Sequence, residues 1–315
     1  MSGGALTAVI GPIAAVVLVC VMWFRGTGWL LDRVGSGLRP WVFLGPSVVM
    51  LVLWLLYPAL ATVWASVHDA DGRGWLGARN YHWVFTDPLA RQALCNTVVW
   101  AIVVPTTATL IGLFAARITD RLNWGGMARA MMFLPMAISF VGAGVIWKFV
   151  YEYRPEDQAQ IGLLNALLQV PRPWLMLPGW NTLCLMVVLI WAQAGFATVI
   201  LSAALRRVPP PVIQAATLDG AGDWARFRRI EVPHISGAIS VVWTTLFIVS
   251  LKTFDIVFVM TGGQWGTQVL SALVYDLMFR GSADFGRAAA VAVVLMALVV
   301  PVMIRTIRIA GQEGR

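Results

Sequence analysis

Seven apolar runs constrain this chain more than any other feature, each close to the roughly 20 residues a helix needs to cross a hydrocarbon core about 30 Å thick. They cover Ala5–Trp23, Trp41–Val63, Asn96–Ala116, Ala128–Val150, Leu183–Leu205, Ala238–Met260 and Ala288–Ile307. Backbone donors and acceptors find no partner in lipid, so a spanning segment is either a helix or a strand of a closed barrel. The runs lack the two-residue alternation of a barrel strand, which leaves helices. Composition agrees: 59% of the 315 residues are hydrophobic and 12% are charged, against about 25% charged in soluble domains. The expected fold class is all-α, a polytopic transmembrane helical bundle with a six-helix core and one extra N-terminal helix, solvated by membrane lipid. Residues 1–40 read as the accessory helix and a Gly- and charge-rich link, and residues 41–315 as the core.

The net charge of +8 is distributed by side of the membrane. Connections on one side hold Arg25, Arg33, Arg39, Arg117, Arg121, Arg129, Arg206, Arg207, Arg226, Arg228, Arg229, Arg305, Arg308 and Arg315, fourteen in all. The alternate connections hold eight basic residues, largely offset by seven acidic ones. Excess Lys and Arg mark the cytoplasmic side, so the C-terminus is expected inside and the N-terminus outside. Charges placed at helix ends do not form the contiguous patch that nucleic acid needs, which excludes that partner. Cys20, Cys95 and Cys184 lie in or beside apolar runs and read as packing residues. No basic residue precedes the first run and no small-residue cleavage site follows it, so it is expected to be retained rather than removed as a signal.

Two long connections face the other side, Ala65–Cys95 and Tyr151–Thr182. Their Tyr81, Trp83, Trp174 and Trp180 suit interfacial anchoring or docking of an external partner. The most informative connection lies between the fifth and sixth runs, residues 206–234. Prolines 209–211 favour a break and a fresh helix start, predicting a short helix over Val212–Leu218. Gly220 and Gly222 allow a sharp turn. Trp224, Phe227 and Ile230, with arginines between them, predict an amphipathic helix over Trp224–Ile230. Chemistry alone leaves two readings open: a protruding helix pair that fits a groove on a partner, or a helix lying on the bilayer surface.

Gln214-Ala215-Ala216-Thr217-Leu218-Asp219-Gly220-Ala221 followed by Ile230-Glu231-Val232-Pro233 resembles the EAA loop of permeases of binding-protein-dependent ABC importers. Its one departure is Gln214 where glutamate is usual, which removes a charge able to pair with a basic residue of the ATPase. Further strings fall where carbohydrate-type permeases, related to the larger maltose permease subunit, carry similar ones. These are Asn80-Tyr81 through Asn96-Thr97, Phe133-Leu134-Pro135, residues 251–255, Met260-Thr261-Gly262-Gly263 and residues 285–290. Residues 134–147 resemble the α-glucoside branch. Gln264-Trp265-Gly266 departs from the usual Gly-Pro-Gly, leaving that loop's shape open.

The resemblance implies that Gln214, Ala215, Ala216, Asp219, Gly220, Ala221 and Gly222 couple the chain to a separate ATPase dimer, which uses ATP and Mg. It also implies a second permease subunit, an extracytoplasmic sugar-binding protein, and residence in a bacterial inner membrane. No cofactor or metal is expected on this chain.

Polar groups inside spans are expensive and mark candidate sites. Gln193, Phe196, Ser250 and Thr253 offer amide, hydroxyl and aromatic surfaces suited to a sugar, and the resemblance places these and Met136 where the maltose relative contacts its substrate. Each also suits helix packing. Lys252 and Asp255, three apart, are expected to meet on one helix face, as a structural pair or as the basis of an ion-gradient-driven transporter. Pro105 and Pro135 mark bends along a path or tolerated kinks. Lys252-Thr253 lacks the glycines of a phosphate-binding loop. The three histidines lack metal-ligand spacing, and no Gly-x-Ser-x-Gly elbow exists. The chain is therefore expected not to be an enzyme.

Overall fold

Asp87 starts the longest packed helix: its side chain accepts from the backbone N–H groups of Leu89 and Ala90, both at 3.0 Å, and Pro88 occupies the first helical position. A computed structural model describes residue 18 and residues 39–281 and 283–313; apart from residue 18, the expected first span lies outside them. The chain divides into two units, residues 1–62 and 63–315. A helix begins at Arg39 and passes through a π turn at Val52–Leu56; its apolar stretch, Leu44–Ala65, is α1.

The second unit is built from α2 (Arg79–Thr86), α3 (Pro88–Thr119), α4 (Gly125–Ala137), α5 (Phe140–Val150), α6 (Leu163–Leu168), α7 (Trp180–Leu205), α8 (Pro210–Leu218), α9 (Asp223–His234), α10 (Ser236–Leu251), α11 (Asp255–Met260), α12 (Leu270–Phe279) and α13 (Phe285–Glu313). Among the described residues the only β pairing is an isolated bridge between His68 and Trp75. Among the described residues, four helices are long and apolar enough to cross a membrane, and six spans result if α4 with α5, and α9 with α10, each count as one. The polytopic all-α bundle expected from the apolar runs is therefore present.

At about 1.5 Å per residue, the 32 residues of α3 are longer than the bilayer core is thick. Helix α7 is apolar on every face and lies at the centre. Small residues let helices approach: a Cβ at Gly112 of α3 would fall 2.8 Å from the Ala197 carbonyl carbon and 2.9 Å from the Thr198 nitrogen, closer than such atoms pack.

Two expected spans are not continuous, which corrects their boundaries. At Leu134-Pro135 the helix tightens into a 3-10 turn, Leu134–Ala137. Ile138 is extended, and Ser139 caps α5 by accepting from the Gly142 N–H at 3.1 Å. The two halves of the expected span Ala128–Val150 meet at 100°. Pro135 therefore marks a true bend, whereas Pro105 stays buried within the uninterrupted α3. The expected span Ala238–Met260 also breaks: α10 ends at Leu251 and α11 begins at Asp255.

Gly112→Leu should lower the thermal midpoint of the detergent-solubilised protein by an amount reflecting a cost of about 1–3 kcal/mol. Gly126→Leu, where an added Cβ meets nothing within 4 Å, should leave that midpoint within experimental scatter.

Candidate functional site

The loop after α7 turns at Pro209, which is extended and precedes Pro210 and Pro211 at the first positions of α8. This corrects the expected start at Val212: proline's fixed φ suits the first turn, so the helix begins two residues earlier. Its end explains the Asp-Gly-Ala string. Gly220 has φ +77°, the left-handed conformation that favours glycine. The Ala221 N–H donates to the Ala216 carbonyl at 3.0 Å and the Gly220 N–H to the Thr217 carbonyl at 3.1 Å, closing a Schellman cap. Gln214, Ala215, Leu218 and Asp219 are exposed, Ala216 is buried, and Leu218 projects at 89% exposure.

Gly222 leads into α9, which runs from Asp223 rather than Trp224 and contains a π turn at Phe227–Glu231. The wider turn brings Phe227 into the core at 2% exposure and turns Glu231 toward α3. From α3, Arg117 donates to Glu231 at 2.9 Å, to the Asp223 carboxylate at 2.7 Å and to the Asp223 carbonyl at 3.0 Å. Its guanidinium lies 4.0 Å from the Phe227 ring centroid, and Phe114 stacks on Trp224 at 6.3 Å. Arg121 also donates to Asp223, and Arg226 donates to Asp223 at 2.9 Å and to the Thr217 hydroxyl at 3.1 Å. Arg226 thus ties α9 to α8. The Arg121 and then the Arg117 hydrogen bonds hold the Asp223 carboxyl well below the usual carboxylate range. A second knot centres on Asp120, which accepts from Arg129 at 2.7 Å, Ser202 at 2.7 Å and Arg206 at 2.8 Å. It joins the ends of α3, α4 and α7.

The candidate substrate residues sit elsewhere. Gln193 is buried on α7, Phe196 is half-buried one turn on, and Met136 lies 40% exposed in the 3-10 turn that packs on α7. The Gln193 amide makes no hydrogen bond among the described residues. Ser250 and Thr253 are buried and donate to the Phe247 and Val249 carbonyls at 2.8 and 3.3 Å. The fold brings Gln193, Phe196 and Met136 to one helix-to-turn packing, with Ser250 and Thr253 at the end of α10.

Lys252 and Asp255 do not behave as expected. They flank the break between α10 and α11, with Phe254 at φ −122° and ψ −52°, so the helical three-residue spacing does not hold. No ion pair joins them among the described residues. The break is shaped by its neighbours, the Ser271 hydroxyl donating to the Thr253 carbonyl. Beyond α11, the Gln264-Trp265-Gly266 turn is held by Asn181 donating to Trp265 at 2.7 Å and Asn96 donating to Gly266 at 2.7 Å. Trp265 adopts φ +53° there. Of the loop aromatics, Tyr81 bonds Ser66 at 2.6 Å, Trp174 donates to Asn165 at 2.7 Å, and Trp180 remains exposed.

Sequence alone did not point to Asp120, Ser202 or Glu231. The available signal was scarcity. Few carboxylates lie on the arginine-rich side, so each was a candidate partner for several guanidinium groups.

Fold and site together define a polytopic helical membrane protein with a braced, protruding helix pair between two spans. Residues 108–307 match the family described as binding-protein-dependent transport system inner membrane component, and the chain belongs to that family. It is 49% identical, over 98% of both chains, to the alpha-glucoside transport system permease protein AglF of Rhizobium meliloti (strain 1021). It is 44% identical to the osmoprotective compounds uptake permease protein GgtC of Synechocystis sp., over 85% of this chain and 97% of that one. Its fold is similar to a chain of a bacterial ABC transporter involved in the import of the acidic polysaccharide alginate, with TM-score 0.70 and 21% identity over 89% of this chain and 96% of that one.

Arg117→Gln should leave Glu231 with only its longer contact to Arg226 and speed amide exchange across Phe227–Glu231, with a local loss of about 1.5–3 kcal/mol, that of a hydrogen bond to a charged group. The lowered carboxyl of Asp223 means that its contribution is complete above about pH 4, the value of a free aspartate, and is lost only as pH falls below that. Exchange in the same segment should therefore stay slow down to that pH and rise beneath it. Asp223→Asn should remove this acid-side dependence.

Proposed function

We propose that this chain is one membrane-spanning half of an ABC importer for α-glucosides. The observation that carries the reading is the 49% identity over 98% of both chains with an alpha-glucoside permease, on a chain whose loop has the geometry of a docking knob. In this reading α8 inserts Leu218 and the Gln214-Ala215 face into a groove of a separate ATPase dimer. That dimer binds and hydrolyses ATP with Mg, and this chain needs no cofactor of its own. The loop and the C-terminus face the cytoplasm, as the fourteen-to-eight distribution of basic residues supports.

A second permease completes the pathway, and an extracytoplasmic binding protein delivers sugar to the outer connections. Gln193, Phe196 and Met136, with Ser250 and Thr253 deeper along α10, offer a route-lining set of amide, hydroxyl and apolar surfaces. Coupling follows from the bracing: a displacement of α8 by the ATPase passes through Arg226 to α9 and through Arg117 to α3, so the spans move with the knob. The Gln214 side chain keeps a hydrogen-bonding amide at the docking face but gives up the charge. The second relative favours osmoprotective compounds as the competing substrate class.

The tagged chain should copurify with an ATPase and a second permease. Cells carrying the complete system should take up labelled α-glucosides and lose that uptake when this chain is deleted. Retention of α-glucoside uptake, or uptake confined to osmoprotective compounds, overturns the substrate assignment. Gly220→Val forces a β-branched residue into the left-handed region at about 1–2 kcal/mol. It should leave assembly measurable and ATP hydrolysis present while uptake falls about five- to thirtyfold, the change expected from that much strain at a step that must be traversed each cycle.

A further inference from the structure

Behind the helix pair lies an open cleft of about 290 Å³ lined by Arg117, Asp120, Arg121, Arg206, Arg226 and Glu231, with Leu205, Val208 and Ile213 as its apolar floor. The carboxylates that face it are already engaged: Asp120 accepts from Arg129, Ser202 and Arg206, and Glu231 accepts from Arg117 at 2.9 Å. The two knots together hold five guanidinium groups, on Arg117, Arg121, Arg129, Arg206 and Arg226, against three carboxylates, on Asp120, Asp223 and Glu231. Two positive charges are left over. One donor is also weakly served: the Nε of Arg226 is buried and makes no hydrogen bond, its ion pair with Glu231 being stretched to 3.5 Å. A buried donor without a well-formed hydrogen bond is costly, and guanidinium groups converging on a cleft suit a tetrahedral oxyanion, which they engage through paired N–H donors.

We propose that this cleft binds an oxyanion of the phosphate class, and that its occupancy sets how firmly the helix pair is held to α3. A phosphate oxygen would satisfy the Arg226 Nε, and its charge would balance the surplus carried by Arg121 and Arg206. Both of these are more than half exposed, so a ligand can reach them from water. Arg226 also holds α8 through Thr217, so a bound anion stiffens the junction between the two loop helices. The volume admits more than a bare ion, which leaves two sources of the same chemistry: a soluble phosphate or phosphorylated metabolite, or the headgroup of an anionic lipid. The regulatory consequence rests on the loop being the coupling element; the binding itself does not.

The test uses the full-length chain, with whatever subunits copurify, in nanodiscs of phosphatidylcholine. Inorganic phosphate is titrated at constant ionic strength against chloride while amide exchange is followed across residues 221–234. A parallel arm omits phosphate and replaces part of the lipid with phosphatidylglycerol. At phosphate tenfold above its dissociation constant, the opening of this segment should slow by about tenfold, because the ligand binds only the closed form.

Arg206→Gln removes an exposed cation without touching Asp223 or Glu231, and Arg226→Lys keeps the charge but lacks the Nε donor. Each should weaken the effect. Saturable protection by phosphate identifies a soluble ligand, and protection by phosphatidylglycerol alone identifies a headgroup; both support the site. Protection equal in chloride, unchanged in both variants, or absent from both arms overturns it. The readout is made on the permease itself, so it stands or falls apart from the copurification that tests the importer reading.

Discussion

One guanidinium group carries most of the link between the loop and the membrane. Arg117, at the end of α3 and 11% exposed, donates to both carboxylates of α9 and to a backbone carbonyl while its plane covers Phe227. An exposed ion pair is worth about 0–1 kcal/mol and would not hold two helices in register. The Arg117–Glu231 pair, largely withdrawn from water, resists separation, because parting it leaves uncompensated charge. The π turn in α9 belongs to this arrangement: the extra residue per turn lets Phe227 bury and Glu231 reach Arg117 from one short helix.

The bundle supplies the rigid body that this link needs. Helix association in lipid depends on close packing rather than on escape from water, and the approach of α3 to α7 at Gly112 provides it. At the loop end, Asp120 gathers the ends of α3, α4 and α7 into one knot. The loop is therefore fastened to a set of helices that are themselves tied to one another. Where helices break, at Pro135 and between Leu251 and Asp255, the freed backbone finds local partners, such as the Ser139 cap and the Ser271 hydroxyl.

Spans were legible because a lipid-crossing helix must be apolar over a fixed length, so six described segments stand where apolar runs fall. The cap at Gly220 was legible for a similar reason: few residues tolerate φ near +77°. The breaks were less so. Pro135 announced its bend, but Pro105 has the same chemistry and sits in an unbroken helix, because its surroundings and not its ring decide. Lys252 and Asp255 looked like a helical pair only while the helix was assumed to continue through Phe254. The ion-pair network was hidden in the sequence because Arg117 and Glu231 are 114 residues apart, and nothing local records which arginine meets which carboxylate. Gln193, Phe196 and Met136 carried a polarity signal in an apolar setting, which locates them without saying what they hold.

Bracing through Arg117 predicts that the helix pair and α3 move as one body. Spin labels at Val212 of α8 and Ile118 of α3, both exposed, report this directly by pulsed electron–electron double resonance in nanodiscs, with and without ATP turnover. A single narrow distance distribution that keeps its mean and width throughout the cycle is the expected result. A distribution that shifts or broadens on turnover while Arg117 is intact would contradict the claim, since the knob would then be moving independently of the span it is said to drive.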